Sequence, residues 1–296
     1  MIRIFCFALL FGFTNLQGQT LNHFVIRIDN VKQDPAFTYG RFDTIGQKLK
    51  INTTYSDKSS FLDSIQASLN TLDSTNANIL VHIHGLWADQ KAFYEPNGYI
   101  LQQEVFDSIK SNYGVILSLQ WEGVMNYFHA FSLTKRVGEL FANEVLDLDH
   151  LLQEQYSSRL GFFLHSMGHR VYDAMLDTID LSGNDLKVKH LISCGAEIEN
   201  DFLQDQEVAK ANVNADEVAV FYNNNDRTLR MATFAKEGNR LGLKGPESTD
   251  TLPQNITIHN VSSINDFESR PGKMSRHRYY YDSPTVRHKI IEILTK

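Results

Sequence analysis

Residues 160–171 read L-G-F-F-L-H-S-M-G-H-R-V, and this stretch decides the fold. The largely apolar residues that end at Leu164 predict a buried strand. Gly168 follows shortly after Ser166 and allows another part of the chain to approach closely there. The apolar residues that follow have the spacing of one helix face; they are Val171, Ala174, Met175 and Ile179. The stretch therefore predicts a strand, a sharp turn that carries Ser166, and a helix.

Such a turn is a nucleophile elbow when it lifts a serine hydroxyl above the sheet and aims a helix amino-terminus at a developing oxyanion. The usual pattern is G-x-S-x-G, and residues 164–168 read L-H-S-M-G. The second glycine is present, but Leu164 replaces the first. H-S-M-G, followed by an arginine and an amphipathic helix, resembles the α/β-hydrolase superfamily. The alternative interpretation is an ordinary strand-to-helix turn that contains a serine.

The composition predicts one large α/β domain and excludes some partners. The chain has 296 residues, of which 42% are hydrophobic and 21% charged, so it can bury a sizeable core. The formal net charge of -7 is spread along the sequence, without a basic run. We therefore expect no nucleic acid partner.

The amino-terminal segment is typical of a secretory signal peptide. Arg3 precedes an apolar run over residues 4–13, and polar residues follow. The run is too short to span a bilayer comfortably, and a short strand or an anchor is the alternative. We predict a signal peptide at 1–19, a single α/β-hydrolase domain at 20–296 without a transmembrane segment, and a secreted or periplasmic location. Cys194 would then be the one cysteine left, so no intramolecular disulfide forms.

Strand and helix patterns alternate along the mature chain. Strands are predicted at residues 23–28, 48–54, 79–85, 114–121, 160–164, 188–194, 218–222 and 256–261. The segment with Pro35 and Gly40 is predicted to be a loop, Ser60 to cap the first helix, and residues 100–110 to form a helix. Ser283 and Pro284 predict the start of the last helix. The alternation predicts an α/β-hydrolase fold, with a mostly parallel, doubly wound sheet and helices on both faces. A site would lie at the carboxyl ends of the strands.

A serine nucleophile needs a histidine to accept its proton and an acid to orient that histidine. In this fold the order along the chain is serine, acid, histidine. Asp226 follows a late strand and fits the position of the acid. A turn or helix-capping aspartate is the alternative. The competing acids, which follow the preceding strand, are Glu197, Glu199 and Asp201.

Three histidines follow Asp226 in the sequence. His259 lies within a predicted strand, and His288 lies opposite the apolar stripe of the last helix. His277 lies in the loop between the last strand and the last helix. A residue in that loop can reach over the carboxyl edge of the sheet, so His277 is the predicted general base.

Two backbone N–H groups would form the oxyanion hole. One is that of Met167, directly after the serine. The other is that of Leu86, in the loop after the strand that contains Val81, where Gly85 gives the backbone room to turn. His165 and His169, on either side of the elbow, are interpreted as packing or rim residues.

His82 and His84 form an H-x-H pair, which could bind a metal. Asp89 lies too far along for the H-x-H-x-D-H pattern of metallo-β-lactamase-like hydrolases. We therefore expect no metal and no other cofactor.

Several segments also match a family in order. They are V-H-I-H-G (81–85), L-Q-W (119–121), L-H-S-M-G-H-R-V (164–171), N-N-N-D-R-T-L-R-M-A (223–232), N-R-L-G (239–242) and R-H-R-Y-Y (276–280). Together they resemble an uncharacterised lipase-like branch of the α/β hydrolases over about residues 60–295. The resemblance implies Ser166, Asp226 and His277 as a catalytic triad, and it implies no particular substrate.

We therefore predict an exported serine hydrolase that acts on a small-molecule ester or acyl substrate. Acyl transfer by the same triad is one alternative. A hydrolase-fold protein that has lost catalysis and binds a ligand or partner is another, and Leu164 at the elbow favours it.

Overall fold

The structure, a computed structural model, describes residues 21–72, 77–86, 97–122, 126–204, 215–235, 238–250, 252–268 and 276–296. The predicted signal peptide and Asp89 lie outside these ranges. Within them the strands are β1 (Asn22–Asp29), β2 (Ala36–Thr44), β3 (Leu49–Thr54), β4 (Asn78–Ile83), β5 (Tyr113–Gln120), β6 (Leu160–His165), β7 (Val188–Cys194), β8 (Ala215–Tyr222) and β9 (Ile256–Asn260).

The helices of the same ranges alternate with the later strands. They are α1 (Lys58–Leu69), α2 (Tyr99–Glu104), α3 (Tyr127–Tyr156), α4 (Gly168–Leu181), α5 (Arg227–Ala235), α6 (Leu241–Lys244), α7 (Tyr279–Asp282) and α8 (Pro284–Leu294). A short 3-10 helix at Phe106–Ser108 follows α2. Ser283 caps α8, with Pro284 in its first turn, as the sequence predicted.

The strands form one sheet in the order β3-β2-β1-β5-β4-β6-β7-β8-β9. β1 pairs with β2, and β2 with β3, in antiparallel fashion, and the remaining neighbours are parallel. Helices α1, α3 and α4 share one apolar core with one face of the sheet. Helices α2, α7 and α8 share a second core with the other face. The predicted mostly parallel, doubly wound sheet is confirmed.

The sequence did not predict the antiparallel strand β2. The segment with Pro35 and Gly40, predicted to be a loop, contains β2, which pairs along its length with β1. A side chain at Gly40 would come within 2.9 Å of the Thr53 carbonyl oxygen, so the glycine allows β2 and β3 to pack closely. This prediction was wrong because polar residues and a glycine hide the alternation of β2, which lies between β1 and β3.

Two helix boundaries also differ from the predictions. Asp57, rather than Ser60, caps α1, and its side chain accepts a hydrogen bond from the Ser60 N–H at 2.8 Å. The helix predicted at 100–110 ends at Glu104 and continues as the 3-10 helix. Among the described residues, no helix combines the length and apolarity needed to cross a membrane.

Candidate active site

The turn after β6 holds Ser166 in the left-handed region, with a φ of 55°. Few residues with side chains adopt such a backbone conformation, which concentrates at functional sites. A side chain at Gly168 would come within 2.4 Å of the Ile83 carbonyl oxygen, so glycine is required where α4 passes β4. Leu164 is buried in the core beneath the turn. The turn therefore forms with leucine in place of the first glycine.

The backbone N–H and carbonyl groups of Ser166 are both hydrogen-bonded to residues at or just after the end of β7. The Ser166 N–H donates to the Cys194 carbonyl at 3.2 Å. The Ser166 carbonyl accepts from the Glu197 N–H at 3.1 Å. Between these two residues lies Gly195, which has a φ of 54°. The segment 194–197 is thus a second support for the serine turn.

His277 and Asp226 form a hydrogen-bonded pair. Nδ1 of His277 lies 2.6 Å from Oδ2 of Asp226, and Asp226 is fully buried. The other carboxylate oxygen, Oδ1, accepts from the Leu229 N–H at 2.9 Å at the start of α5. Asp226 therefore caps a helix, which was the alternative interpretation of this residue, and its other carboxylate oxygen is hydrogen-bonded to a histidine.

The His277 ring lies against the serine turn and the segment after β7. Its centroid is 4.6 Å from the ring of His165, the residue before Ser166. A side chain at Gly195 would come within 3.2 Å of Cε1 of His277. The structure therefore brings Ser166, Asp226 and His277 to one edge of the sheet.

The rings around His277 form what we call the histidine side, defined as His165, His277, Tyr279 and Tyr280. The His165 ring packs against the rings of His277 and Tyr280 at tilts of 48° and 41°, with both centroid distances at 4.6 Å. The Tyr279 hydroxyl accepts from the Gly195 N–H and donates to the Phe221 carbonyl, each at 2.6 Å. It therefore links the ends of β7 and β8 directly beside His277. Burial holds the pKa of His165 well below its usual range, so His165 is neutral.

A second group of side chains near the serine turn is the ion cluster, defined as Arg170, Glu197, Glu199 and Arg240, in which Glu197 and Arg240 are fully buried. The Arg170 Nε donates to Glu197 at 2.6 Å, and the Arg240 Nε donates to the other oxygen of the same carboxylate at 2.9 Å. Glu199 accepts from Arg170 at 2.9 Å. Burial and the hydrogen bond to Glu197 raise the pKa of Tyr127, whose hydroxyl donates to Glu197 at 2.6 Å, to about 12. Two arginines thus neutralise the carboxylate whose backbone supports Ser166.

The N-R-L-G segment, residues 239–242, connects the ion cluster to the loop after β8 that carries Asp226. The Gly242 N–H donates to the Ala196 carbonyl at 3.0 Å, and the Gly242 carbonyl accepts from the Asn223 N–H at 2.9 Å. A side chain at Gly242 would come within 2.1 Å of the Ala196 nitrogen. The Asn223 side chain in turn donates to the Arg276 carbonyl at 3.3 Å, next to His277. One run of contacts therefore joins the loops that carry Asp226 and His277 to the segment 194–197, which supports Ser166.

The loop after β4 lies close to the Ser166 side chain. A side chain at Gly85 would come within 2.5 Å of Cβ and 3.0 Å of Oγ of Ser166. His84 stacks on Trp121, with a centroid distance of 5.7 Å, and its Nδ1 lies 2.7 Å from the Gly85 carbonyl oxygen. Leu86, the proposed oxyanion donor, is the next residue and is partly buried. Met167, the other proposed donor, precedes the first turn of α4.

The other histidines considered in the sequence have contacts of their own. His259 of β9 stacks on Phe221 of β8, and His288 is exposed and paired with Glu292 at 3.1 Å. His169 is buried, bonding the Ser166 carbonyl and Ser193, and burial lowers its pKa to about 4. Within the described ranges, no group of three or more metal-binding side chains surrounds His82 and His84.

The sheet order, together with the serine turn after β6 at the centre of the sheet, defines an α/β hydrolase. A family model described as "Alpha/beta hydrolase of unknown function (DUF900)" matches residues 61–294. The chain belongs to this family. A comparison with curated proteins finds no match.

Reasoning from the sequence missed the roles of Tyr127, Arg240 and Tyr279. Arg240 and Tyr279 lie in two segments that support the family resemblance, N-R-L-G and R-H-R-Y-Y. A fully buried arginine is unusual and requires a partner, but nothing in the sequence identifies Glu197 as that partner. Tyr127 lies at the start of a long amphipathic helix, where an aromatic residue is an ordinary core residue.

Proposed function

We propose that the chain is an exported serine hydrolase that cleaves carboxylic esters, with Ser166 as nucleophile, His277 as general base and Asp226 as the orienting acid. The hydrogen bond between His277 Nδ1 and buried Asp226, at an imidazole packed against the serine turn, carries this proposal. With a proton on Nδ1, the other ring nitrogen is left to accept the serine proton.

In the proposed reaction, Ser166 Oγ attacks the ester carbonyl carbon while His277 takes the hydroxyl proton. The negative charge moves to the carbonyl oxygen, where the N–H groups of Met167 and Leu86 stabilise it. The C–O bond then breaks, and the alcohol leaves with the proton from His277. A water molecule attacks the acyl-serine in the same way, which releases the acid and restores Ser166.

Labelling with a fluorophosphonate tests the nucleophile directly. The reagent should modify the mature protein at Ser166, and Ser166→Ala should abolish labelling while the protein remains folded. Ser132→Ala, at an exposed serine of α3, is the matched control and should be labelled like the parent. Labelling at another serine, or hydrolysis of an ester panel by Ser166→Ala at the parent rate, would refute the assignment. A parent that neither reacts nor hydrolyses any ester would favour the ligand-binding alternative.

Export is tested separately. The charge and apolar run of the first residues support removal of about the first nineteen residues. Intact-mass measurement of the protein recovered outside the cytoplasm should give a chain that lacks them. A product that still begins at Met1 would contradict the proposal.

A further inference from the structure

Helix α5 carries an exposed apolar surface at the catalytic edge of the sheet. Met231 is 73% exposed and Phe234 86% exposed. The two residues are three positions apart in the helix, so their side chains lie on the same face. Adjacent large apolar side chains at this exposure commonly mark a binding surface.

The same face of α5 is positively charged. Arg227 and Arg230 are exposed, and each lies four positions before one of the two apolar residues, so each arginine neighbours an apolar side chain. The inner face of the helix packs through Leu229 and Ala232. α5 is thus amphipathic, and its outer face combines two guanidinium groups with two apolar side chains.

The position of α5 relates this face to the proposed chemistry. The helix begins directly after Asp226, which caps it. Phe128, 63% exposed at the first turn of α3, lies at the same edge because it follows β5. Leu181 is 88% exposed but lies at the opposite edge, where α4 ends next to Asp180 rather than an arginine. Apolar exposure is therefore combined with positive charge at the catalytic edge.

We propose that the outer face of α5 docks the protein on an anionic lipid surface and that the substrate is an acyl ester of a lipid held in that surface. Guanidinium groups bind lipid phosphates, while methionine and phenylalanine side chains enter the acyl boundary. The whole chain carries a net charge of -7, so its attraction to an anionic surface has to come from a local positive patch. The substrate part rests on the proposed hydrolase function, and the reaction is the ester hydrolysis described above.

Vesicle co-sedimentation of the mature protein tests the docking. Vesicles of phosphatidylcholine with phosphatidylglycerol should bind the protein, and vesicles of phosphatidylcholine alone should bind it weakly. The double variants Met231→Ser/Phe234→Ser and Arg227→Gln/Arg230→Gln should each bind about tenfold or more weakly. Leu181→Ser, an equally exposed apolar residue without adjacent arginines, is the matched control and should bind like the parent.

Several results would overturn the docking. They are a parent protein that does not bind anionic vesicles, double variants that bind as well as the parent, and a Leu181→Ser variant that loses binding equally. A parent that dimerises with rising concentration while Met231→Ser/Phe234→Ser stays monomeric would assign the face to a second copy of the chain instead.

Docking and hydrolysis fail in distinguishable ways. Ser166→Ala should bind anionic vesicles like the parent, because docking does not use the nucleophile. Met231→Ser/Phe234→Ser should hydrolyse a soluble short-chain ester at the parent rate and lose turnover only on an ester presented in vesicles. Hydrolysis of the soluble ester without vesicle binding would refute docking alone. Vesicle binding without turnover of any ester would refute the hydrolase function alone.

Discussion

The histidine side and the ion cluster both contact the segment 194–197 next to Ser166, but they stabilise buried polar groups in different ways. On the histidine side, burial keeps the packed ring of His165 neutral, and Asp226 is hydrogen-bonded to His277. In the ion cluster, the Glu197 carboxylate is paired with the guanidinium groups of Arg170 and Arg240. The difference shows two ways to satisfy polar groups beside one serine turn: packed rings with a hydrogen-bonded pair in one case, and paired charges in the other.

The largest expected effect is on the histidine side. His277→Ala should lower kcat by about three to six decades, because the proposed serine nucleophile would lose its base. Adding Ser166→Ala to this variant should cost little more, since the members of a triad act as a unit. Steady-state kinetics on one activated ester measure both effects.

His288→Ala and His259→Ala are the controls for this prediction. His288 is exposed and His259 stacks on Phe221, so both variants should stay near the parent rate. A fully active His277→Ala beside an inactive His259→Ala would mean that the base has been assigned to the wrong histidine.

The next largest effect should come from the ion cluster and appear in stability. Glu197→Ala removes the carboxylate that binds both Arg170 and buried Arg240 and leaves Arg240 with Glu199 at 3.6 Å, which should lower the free energy of unfolding by about 3–5 kcal/mol. Urea denaturation measures the change. The combined variant Glu197→Ala/Arg240→Met should be less destabilised than the sum of the two single variants. Additive effects would show that the two residues do not stabilise each other.

A smaller loss of stability is expected at Gly242, which connects the ion cluster to the loop that carries Asp226. Gly242→Ala places a methyl group against the Ala196 backbone, which should cost about 1–3 kcal/mol in the free energy of unfolding. Gly46→Ala is the contrast, because Gly46 has a φ of 63° and open space around it. Its cost is backbone strain alone, about 1 kcal/mol. Equal effects at both positions would argue against close packing at Gly242.

The smallest effect concerns a buried carboxyl group that has no arginine partner. Asp149 bonds Gln153, and burial raises its pKa to about 6 from 3.8. Its proton is held more tightly in the folded state, so the free energy of unfolding falls as pH rises from about 4 to about 6. Asp149→Asn should therefore be about 1 kcal/mol more stable than the parent at pH 8, with no difference near pH 4. Thermal unfolding at the two pH values measures this, and a destabilised variant at pH 8 would contradict it.

The sequence predicts the parts of this molecule that depend on order along the chain. Ser166, Asp226 and His277 each follow a predicted strand, and the carboxyl ends of parallel strands meet at one edge. The apolar run of β6 and the helical spacing after Gly168 therefore sufficed to predict the fold class and the serine turn.

The ion cluster and β2 could not be predicted in this way. The cluster combines Arg170 of α4, Glu197 after β7 and Arg240 before α6, whose contacts depend on how three loops pack. Hydrophobic periodicity reports which face of an element is buried, but not which distant charge will lie opposite. Strand β2, between β1 and β3, has polar residues and a glycine in its sequence, so its alternation was too weak to predict a strand.

Chemical labelling of Cys194 can measure how often the protein opens at the end of β7. Its thiol is fully buried, burial raises its pKa well above the usual range, and its carbonyl binds the N–H of Ser166. A thiol-reactive dye can therefore label the native mature chain only when the end of β7 transiently exposes the thiol. The labelling rate would give the frequency of that exposure beside the serine turn without an engineered probe.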